Sequence, residues 1–287
     1  MTTAFVILHY RTLEVTIQCL ENLLKIAPDS PIVVVDNGSQ DGSGEEVRRL
    51  FGSKVVVVIN DQNLGFARGN NAGFQYVKEH YTVDCVVVMN NDVIITQPGF
   101  ADILASYMRE KRLDVCGPDI ITPEGRHQNP LLRKPFSTFR IIKQMAIDAA
   151  RLLMLKLHLF EKRLLSEYAS NSNSFHKQEV NLANITGCVL HGSCVAYSSN
   201  YLSNELYAFV PVTFLYGEEM ILAEHCRRRN YLTGVCPTAT VTHLGGRTTL
   251  QGKAPNRSQI IRIKRLMLKA QWELVKMRIL GEKTVKK

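Results

Sequence analysis

No stretch of about 18 consecutive apolar residues occurs in the 287-residue sequence, so no segment is expected to cross a membrane as a helix. The opening MTTAFVILHYR has too short an apolar run, with no basic residues before it, to be expected as a secretory leader. No C-x-x-C pair occurs among the seven cysteines, Cys19, Cys85, Cys116, Cys188, Cys194, Cys226 and Cys236. Their number is odd and most sit in apolar runs, which points away from a disulfide framework or a zinc site and toward reduced, buried thiols in a cytosolic protein. No glycine follows the first apolar run: ILHYRTLEV lacks the G-x-G-x-x-G of a dinucleotide-binding turn, and G-x-x-x-x-G-K-[ST] occurs nowhere. Aromatic-basic interleaving and DNA-binding motifs are missing too, so nucleic acid is not an expected partner. Solenoid repeats and low-complexity tracts are likewise absent.

What is present suits a full hydrophobic core, with 45% hydrophobic and 21% charged residues. The charge is uneven. From residue 257 to the end, ten Lys/Arg stand against Glu273 and Glu282, a net +8 of the chain's +9. A solvated helix face with a frayed tail is the plain reading; attraction to an anionic membrane surface or a diphosphate substrate is the functional one.

Continuous β-branched runs at residues 4–9, 32–35, 55–59 and 85–89 predict strands buried on both faces, as in a parallel sheet covered by helices. Helical patterns fall between and after them, at 13–26, 44–51, 67–80 and 99–111, with Ser39 and Asp41 available as caps before the second. Such alternation predicts an α/β fold with right-handed crossovers. Residues 135–164 form a long apolar helical stretch punctuated by Arg140, Lys143, Arg151, Lys156 and Arg163. It is expected to pack on the domain or a partner, with a bilayer surface as the alternative. Residues 167–179 read as a polar loop, GSCVAYS as a strand and EEMILAEHCRRR as a helix.

Two of the predicted strands run into acids: SPIVVVDNGSQDGS reaches Asp36, and DCVVVMNNDVIIT reaches Asp92. Ligands of open parallel sheets bind beyond the carboxyl ends of the strands, where both acids fall. Asn37-Gly38-Ser39 supplies turn chemistry, so Asp36 as a simple turn cap stays open. A phosphatase with an Asp nucleophile would want a second Asp two positions on, where Gly38 stands. A nucleotide-sugar site remains.

Four blocks then appear in order: VVVDNGSQDGS (33–43), NLGFARGNNAGF (63–74), VVVMNNDV (86–93) and FLYGEEMILAEHCRRRNY (214–231), followed by VTHLGG (241–246). In this order they resemble family 2 glycosyltransferases of the GT-A fold, close to the rhamnosyltransferase-like branch, over roughly residues 4–247. The resemblance implies an α/β GT-A fold, with a mostly parallel nucleotide-binding sheet flanked by helices. It implies that Asp36 meets the nucleotide base, with Asn37, Tyr10 and Arg11 near it. Gly65, Arg68 and Asn70 are implied on the donor side, where a helix start favours anions; their bland reading is an ordinary loop-to-helix joint. MNNDV stands where the family has a D-x-D-type motif, so Asn91 faces substrate and Asp92 alone offers a carboxylate to Mg²⁺ or Mn²⁺. His243 is implied near the metal and diphosphate, and an imidazole ligand tilts the choice to Mn²⁺. Taken alone, that histidine reads as structural. Glu219 is implied as general base with Glu218 in reserve, against the bland reading of two acids favouring a helix N-terminus. Gly192 and Ser193 are implied at the sugar pocket.

The expected arrangement is a catalytic domain over residues 1–250 with a helical insertion at about 135–180, and a basic helical tail over 251–287. The implied activity is an inverting transfer from a dTDP- or UDP-linked sugar to a saccharide or lipid-linked acceptor, in bacterial cell-surface polysaccharide synthesis. The expected location is the cytoplasm, with peripheral contact at the inner face of the cell membrane; oligomerisation stays open. The alternatives are a sugar nucleotidyltransferase, which would want a glycine-rich triphosphate loop that FVILHYRTLEV lacks, and a non-catalytic carbohydrate-binding relative, against which the intact acids argue.

Overall fold

A computed structural model describes residues 1–160, 163, 181–245 and 256–281. The polar segment 167–179, the end of the 135–164 stretch, Gly246 and the charges after Gly281 lie outside the described residues.

The first half follows the apolar periodicity closely. Strand β1 (Thr3–His9), helix α1 (Leu13–Ile26), β2 (Ile32–Asp36), α2 (Ser43–Phe51), β3 (Val56–Ile59), α3 (Gly65–His80) and β4 (Cys85–Asn90) succeed one another, then β5 (Val93–Ile94) and α4 (Phe100–Lys111). Strands β3, β2, β1 and β4 are neighbours in that order and parallel. Their continuous apolar runs serve two cores at once. Phe5 and Ile7 of β1 pack with α1, α2 and α4 side chains on one face, while Ala4 and Val6 pack with Phe74 and Val77 of α3 on the other. Gly73 permits the second contact, since a Cβ there would strike Val6 and Val35 of the sheet.

The second half completes the same sheet. Strand β6 (Val115–Ile121) is followed by helix α5 (Thr138–Lys156), β7 (Cys194–Ser198), α6 (Ser199–Asn204), α7 (Glu218–Arg229), β8 (Thr233–His243) and α8 (Arg257–Leu280). The eight-stranded order is β3-β2-β1-β4-β7-β6-β8-β5. Strand β7 runs antiparallel to both β4 and β6, β8 is parallel to β6, and β5 is antiparallel to β8. The apolar-run pattern did not reveal β6 and β8. VCGPDII and TGVCPTATVTH carry glycine and proline that interrupt the pattern, and the β6–β8 register shifts at Pro118/Asp119.

Helix α8 is docked on the body. A capping box between Asn256 and Gln259 starts it. Arg257 donates to the carbonyl oxygen of Leu155 at the end of α5, Lys264 pairs with buried Asp148 at 2.7 Å, and Arg278 pairs with buried Glu224 of α7 at 3.0 Å. Ile141 of α5, Ile221 of α7 and Leu274, Val275 and Met277 of α8 form a small core of their own. Several cations of the basic C-terminal segment therefore hold helices together. The seven cysteines are free and buried, and burial pushes Cys19 and Cys85 up to about 12. Among the described residues, no helix is long and apolar enough to cross a membrane.

Candidate functional site

Strand pairing brings together residues far apart in sequence. The β4–β7 ladder ends with the Asn90 N–H donating to the Ser193 carbonyl at 2.9 Å, which sets the 191–193 turn beside the Asn90-Asn91-Asp92 block. The short β5–β8 ladder pairs Val93 with His243, and the Leu244 N–H donates to the Asp92 carbonyl, so His243 comes to stand over Asp92. Their side chains meet at 3.3 Å, Nε2 to Oδ1. His243 Nδ1 lies 2.7 Å from Gln128 Oε1, an atom that only accepts, so Nδ1 carries the proton. In the neutral ring, Nε2 then faces Asp92 Oδ1 lone pair to lone pair, and that oxygen is buried without a hydrogen-bond partner. Two facing acceptors ask for a positive charge between or beside them.

A divalent cation fits this pair, with a hard carboxylate oxygen and an imidazole nitrogen oriented by a neighbouring amide. Among the described residues, no group of three or more His, Cys, Asp or Glu is gathered to hold a metal. The remaining ligands would therefore come from water and a substrate diphosphate, the habit of such cations at phosphate sites.

His191, which the sequence reading did not single out, joins the cluster. Its ring stands edge-on to His243 at 5.4 Å between centroids. Its Nδ1 accepts from the Ser193 N–H and lies 2.9 Å from the Ser193 hydroxyl. Burial, reinforced by His243, lowers it to about 4 against the pull of Asp92. It is a neutral group at physiological pH.

Helix α7 delivers the acidic pair. Tyr216 and Gly217 both have positive φ (72° and 85°), a sharp reversal that starts α7 at Glu218. A Cβ on Gly217 would collide with Ala270, so α8 is the floor on which this reversal rests. Glu218 is buried, accepts from the Thr213 hydroxyl at 3.0 Å, and is raised to about 7 by burial and then by Glu219. Glu219 is partly buried and its pKa is also raised by burial, opposed by backbone N–H groups of its own residue and of Gly192. A Cβ on Gly192 would stand 3.1 Å from Glu219 Oε1. The 191–193 turn thus touches Asn90 and His243 on one side and Glu219 on the other.

Beside this cluster lies a cavity of about 380 Å³ at the carboxyl ends of β1, β2 and β4. Tyr10, Asn37, Gly65, Asn90 and Asn91 line it from the sheet side, Phe214 to Tyr216 from the approach to α7, and Gln259, Arg262, Ile263 and Leu266 from α8. Gly65 has φ +80°, and a Cβ on it would strike the Phe214 carbonyl, so that wall closes only over glycine.

Several sequence candidates are held by neighbouring groups, inside the cavity lining or outside it. Asp36 is buried but not in the cavity lining: its Oδ1 accepts from the Ser39 N–H at 2.9 Å and its Oδ2 lies against Gly44 at the start of α2. It anchors the turn, the bland reading of this acid. Asn37 is fully used: its amide donates to Gly65 O and Asn63, and its carbonyl oxygen accepts from Asn60 and the Leu64 N–H. Asn91 donates to the hydroxyls of Thr12 at 2.7 Å and Thr16 at 2.8 Å, and His9 holds Thr16 and Ser43, both at 2.7 Å. Arg11 bonds Ser39 through its backbone and guanidinium. Arg68 is exposed on α3, outside the lining, and Asn70 donates to Phe66 O within its own helix.

The sequence pattern of Glycosyl transferase family 2 matches residues 4–204; Glu218, Glu219, His243 and α8 lie beyond it. No curated protein gives a match. Among solved structures, the mannosyltransferase PcManGT from Pyrobaculum calidifontis, in complex with GDP-Man and Mn²⁺, is similar with a TM-score of 0.53 at 13% identity, covering 99% of this chain and 76% of that one. TarS 1-349 of S. aureus, in complex with UDP, is similar with a TM-score of 0.53 at 15% identity, covering 98% of this chain and 71% of that one. At such identities the likeness is one of fold: a GT-A-like α/β architecture with a mostly parallel curled sheet flanked by helices.

Proposed function

The chain belongs to Glycosyl transferase family 2 and is a glycosyltransferase, and from that premise we propose that it inverts: it moves a sugar from a nucleotide donor to a saccharide or lipid-linked acceptor in one displacement. The observation that carries this reading is the 191–193 turn, which links the Asp92–His243 pair to Glu219 beside a cavity at the strand ends. The two solved neighbours were seen with GDP-Man and UDP, which supports a nucleotide-sugar donor for this chain.

In the proposed reaction the nucleotide occupies the cavity near Tyr10, Asn37 and Gly65, with its diphosphate toward Asp92 and His243. A cation held by Asp92 and His243 would supply charge neutralisation to the leaving diphosphate. The acceptor hydroxyl gives its proton to Glu219 as its oxygen bonds the anomeric carbon. The bond from that carbon to the diphosphate breaks, and its electron pair leaves with the nucleoside diphosphate. One displacement from the opposite face inverts the anomeric centre. Burial raises both acids, and Glu219 is taken as the base because its carboxylate stands against the Gly192 turn while Glu218 is held by the Thr213 hydroxyl. The resemblance to the rhamnosyltransferase-like branch makes dTDP-rhamnose the first donor to try, UDP-sugars the second, and bacterial surface polysaccharide the setting.

Substituting Glu219→Gln tests the assignment. Transfer is expected to fall by about a hundredfold or more, while calorimetric binding of the nucleotide sugar stays as in the wild type. Undiminished turnover in the variant removes Glu219 from the role of base.

A further inference from the structure

Helix α5 is docked by one side only. Ile141, Asp148 and Leu155 are its buried residues, and they face α8 and the small core it shares with α7. The other side carries Phe139, Ile142, Ala146, Ala149, Leu153 and Leu157, spaced three or four apart so that they form one stripe, and all are exposed. Phe139 is 79% exposed, Leu153 57% and Leu157 58%; Phe160, just past the helix end, is 69% exposed. Apolar side chains in such an unbroken row are seldom left facing water.

Among the described residues, the exposed charges of α5 have one sign. The only acid of α5 is Asp148, which is buried and paired with Lys264. Lys143 and Lys156 are exposed beside the stripe, without a carboxylate partner among the described residues. Antiparallel to α5, α8 exposes Arg262, Arg265, Lys269 and Trp272, and its only described acid, Glu273, is paired with Lys276. An apolar stripe with cationic flanks and a neighbouring tryptophan is the pattern of a helix lying in the plane of a lipid interface. A second copy of this chain, itself +9, would set cations against cations there, whereas acidic headgroups complement them.

We propose that the exposed stripe of α5, with the basic outer side of α8 next to it, is a docking surface for an anionic phospholipid bilayer. Arg262, at the edge of that basic side, also lines the cavity, so docking would hold the site close to the membrane surface. The inference deepens the lipid-linked branch of the proposed function and rests on it for its purpose. Vesicle binding is measured without donor or acceptor, so failure of docking and failure of transfer are separate results.

The test is co-sedimentation of the full chain with vesicles of phosphatidylcholine alone and of phosphatidylcholine mixed equally with phosphatidylglycerol. The wild type is expected to pellet with the mixed vesicles and to stay in solution with the neutral ones. Two variants are compared, the apolar set Phe139→Ser/Leu153→Ser/Leu157→Ser and the charge set Lys143→Glu/Lys156→Glu. Each is expected to weaken binding by about tenfold or more, with an unchanged circular-dichroism melting curve. Wild-type chain left in solution with the mixed vesicles overturns the proposal, as does binding that neither variant weakens. A wild-type dimer in sedimentation equilibrium that the apolar variant dissolves assigns the face to a second copy and overturns it too.

Discussion

Glu218 shows how a single buried acid makes folding depend on pH. Its ordinary value of 4.5 is raised to about 7 because burial, and then Glu219, penalise the charged form. The folded chain therefore holds a proton that the unfolded chain has released across this interval, and stability falls as pH rises from about 4.5 to about 7. Below the interval both states are protonated and the contribution is complete. Glu218→Gln keeps the hydrogen-bonding shape and cannot ionise. Its stability relative to wild type is expected to improve between pH 5 and pH 8 by at most about 3 kcal/mol, read as urea midpoints across pH. Parallel curves for the two proteins would show that Glu218 titrates normally. Asp36 gives the opposite lesson at this scale. A carboxylate at a strand end looks like a ligand in the sequence, yet Asp36 lies outside the cavity lining, with Oδ1 accepting from the Ser39 N–H and Oδ2 close beside Gly44.

At the scale of elements, the weight falls on the α5–α8 pair. Asp148 is buried, which opposes ionisation, but hydrogen bonds from Lys264, Gln144 and Gln271 outweigh this and hold its carboxyl below the usual range. Removing one partner would leave the other charge buried alone. Lys264→Met is expected to destabilise by about 3–5 kcal/mol, and the double variant Asp148→Leu/Lys264→Met by much less, because no orphan charge remains. Denaturant melts of the single and double variants check this; equal losses in both would mean that the pair matters only as packing. Because α8 lines the cavity and supports Gly217, the single variant is also expected to weaken donor binding. For the same reason, cutting the chain before α8 would damage the site along with any surface property of the helix.

At the scale of the whole molecule, the proposed transfer makes the 191–193 turn a link between the Asp92–His243 pair and Glu219, so the chain should respond to its ligands together. Mn²⁺ and a nucleotide sugar added jointly are expected to stabilise the chain by about 2.7 kcal/mol at a hundred times the dissociation constant, and either alone by less. Asp92→Asn is expected to abolish the Mn²⁺-dependent part. Thermal shifts with a panel of dTDP- and UDP-sugars measure this and rank donors at once. A Mn²⁺ effect undiminished in Asp92→Asn would move the cation elsewhere. The convergence depends on the antiparallel pairings β4–β7 and β5–β8, which carry residues 193 and 243 to the block at 90–92.

The α/β class, the four parallel strands of the first half and the helices between them were legible from residue order alone, because apolar periodicity is a local signal that burial on both faces makes strong. Residue order also carried the family resemblance and the acidic start of α7. Folding in three dimensions was needed to show that β6 and β8 extend the sheet, since glycine and proline hide them, and that His191 joins Asp92 and His243. The fold also makes α8 a wall of the cavity and leaves an apolar stripe of α5 exposed among the described residues. These last facts depend on which faces meet across long stretches of chain, and a residue's own neighbours in sequence do not encode the side from which another element will arrive.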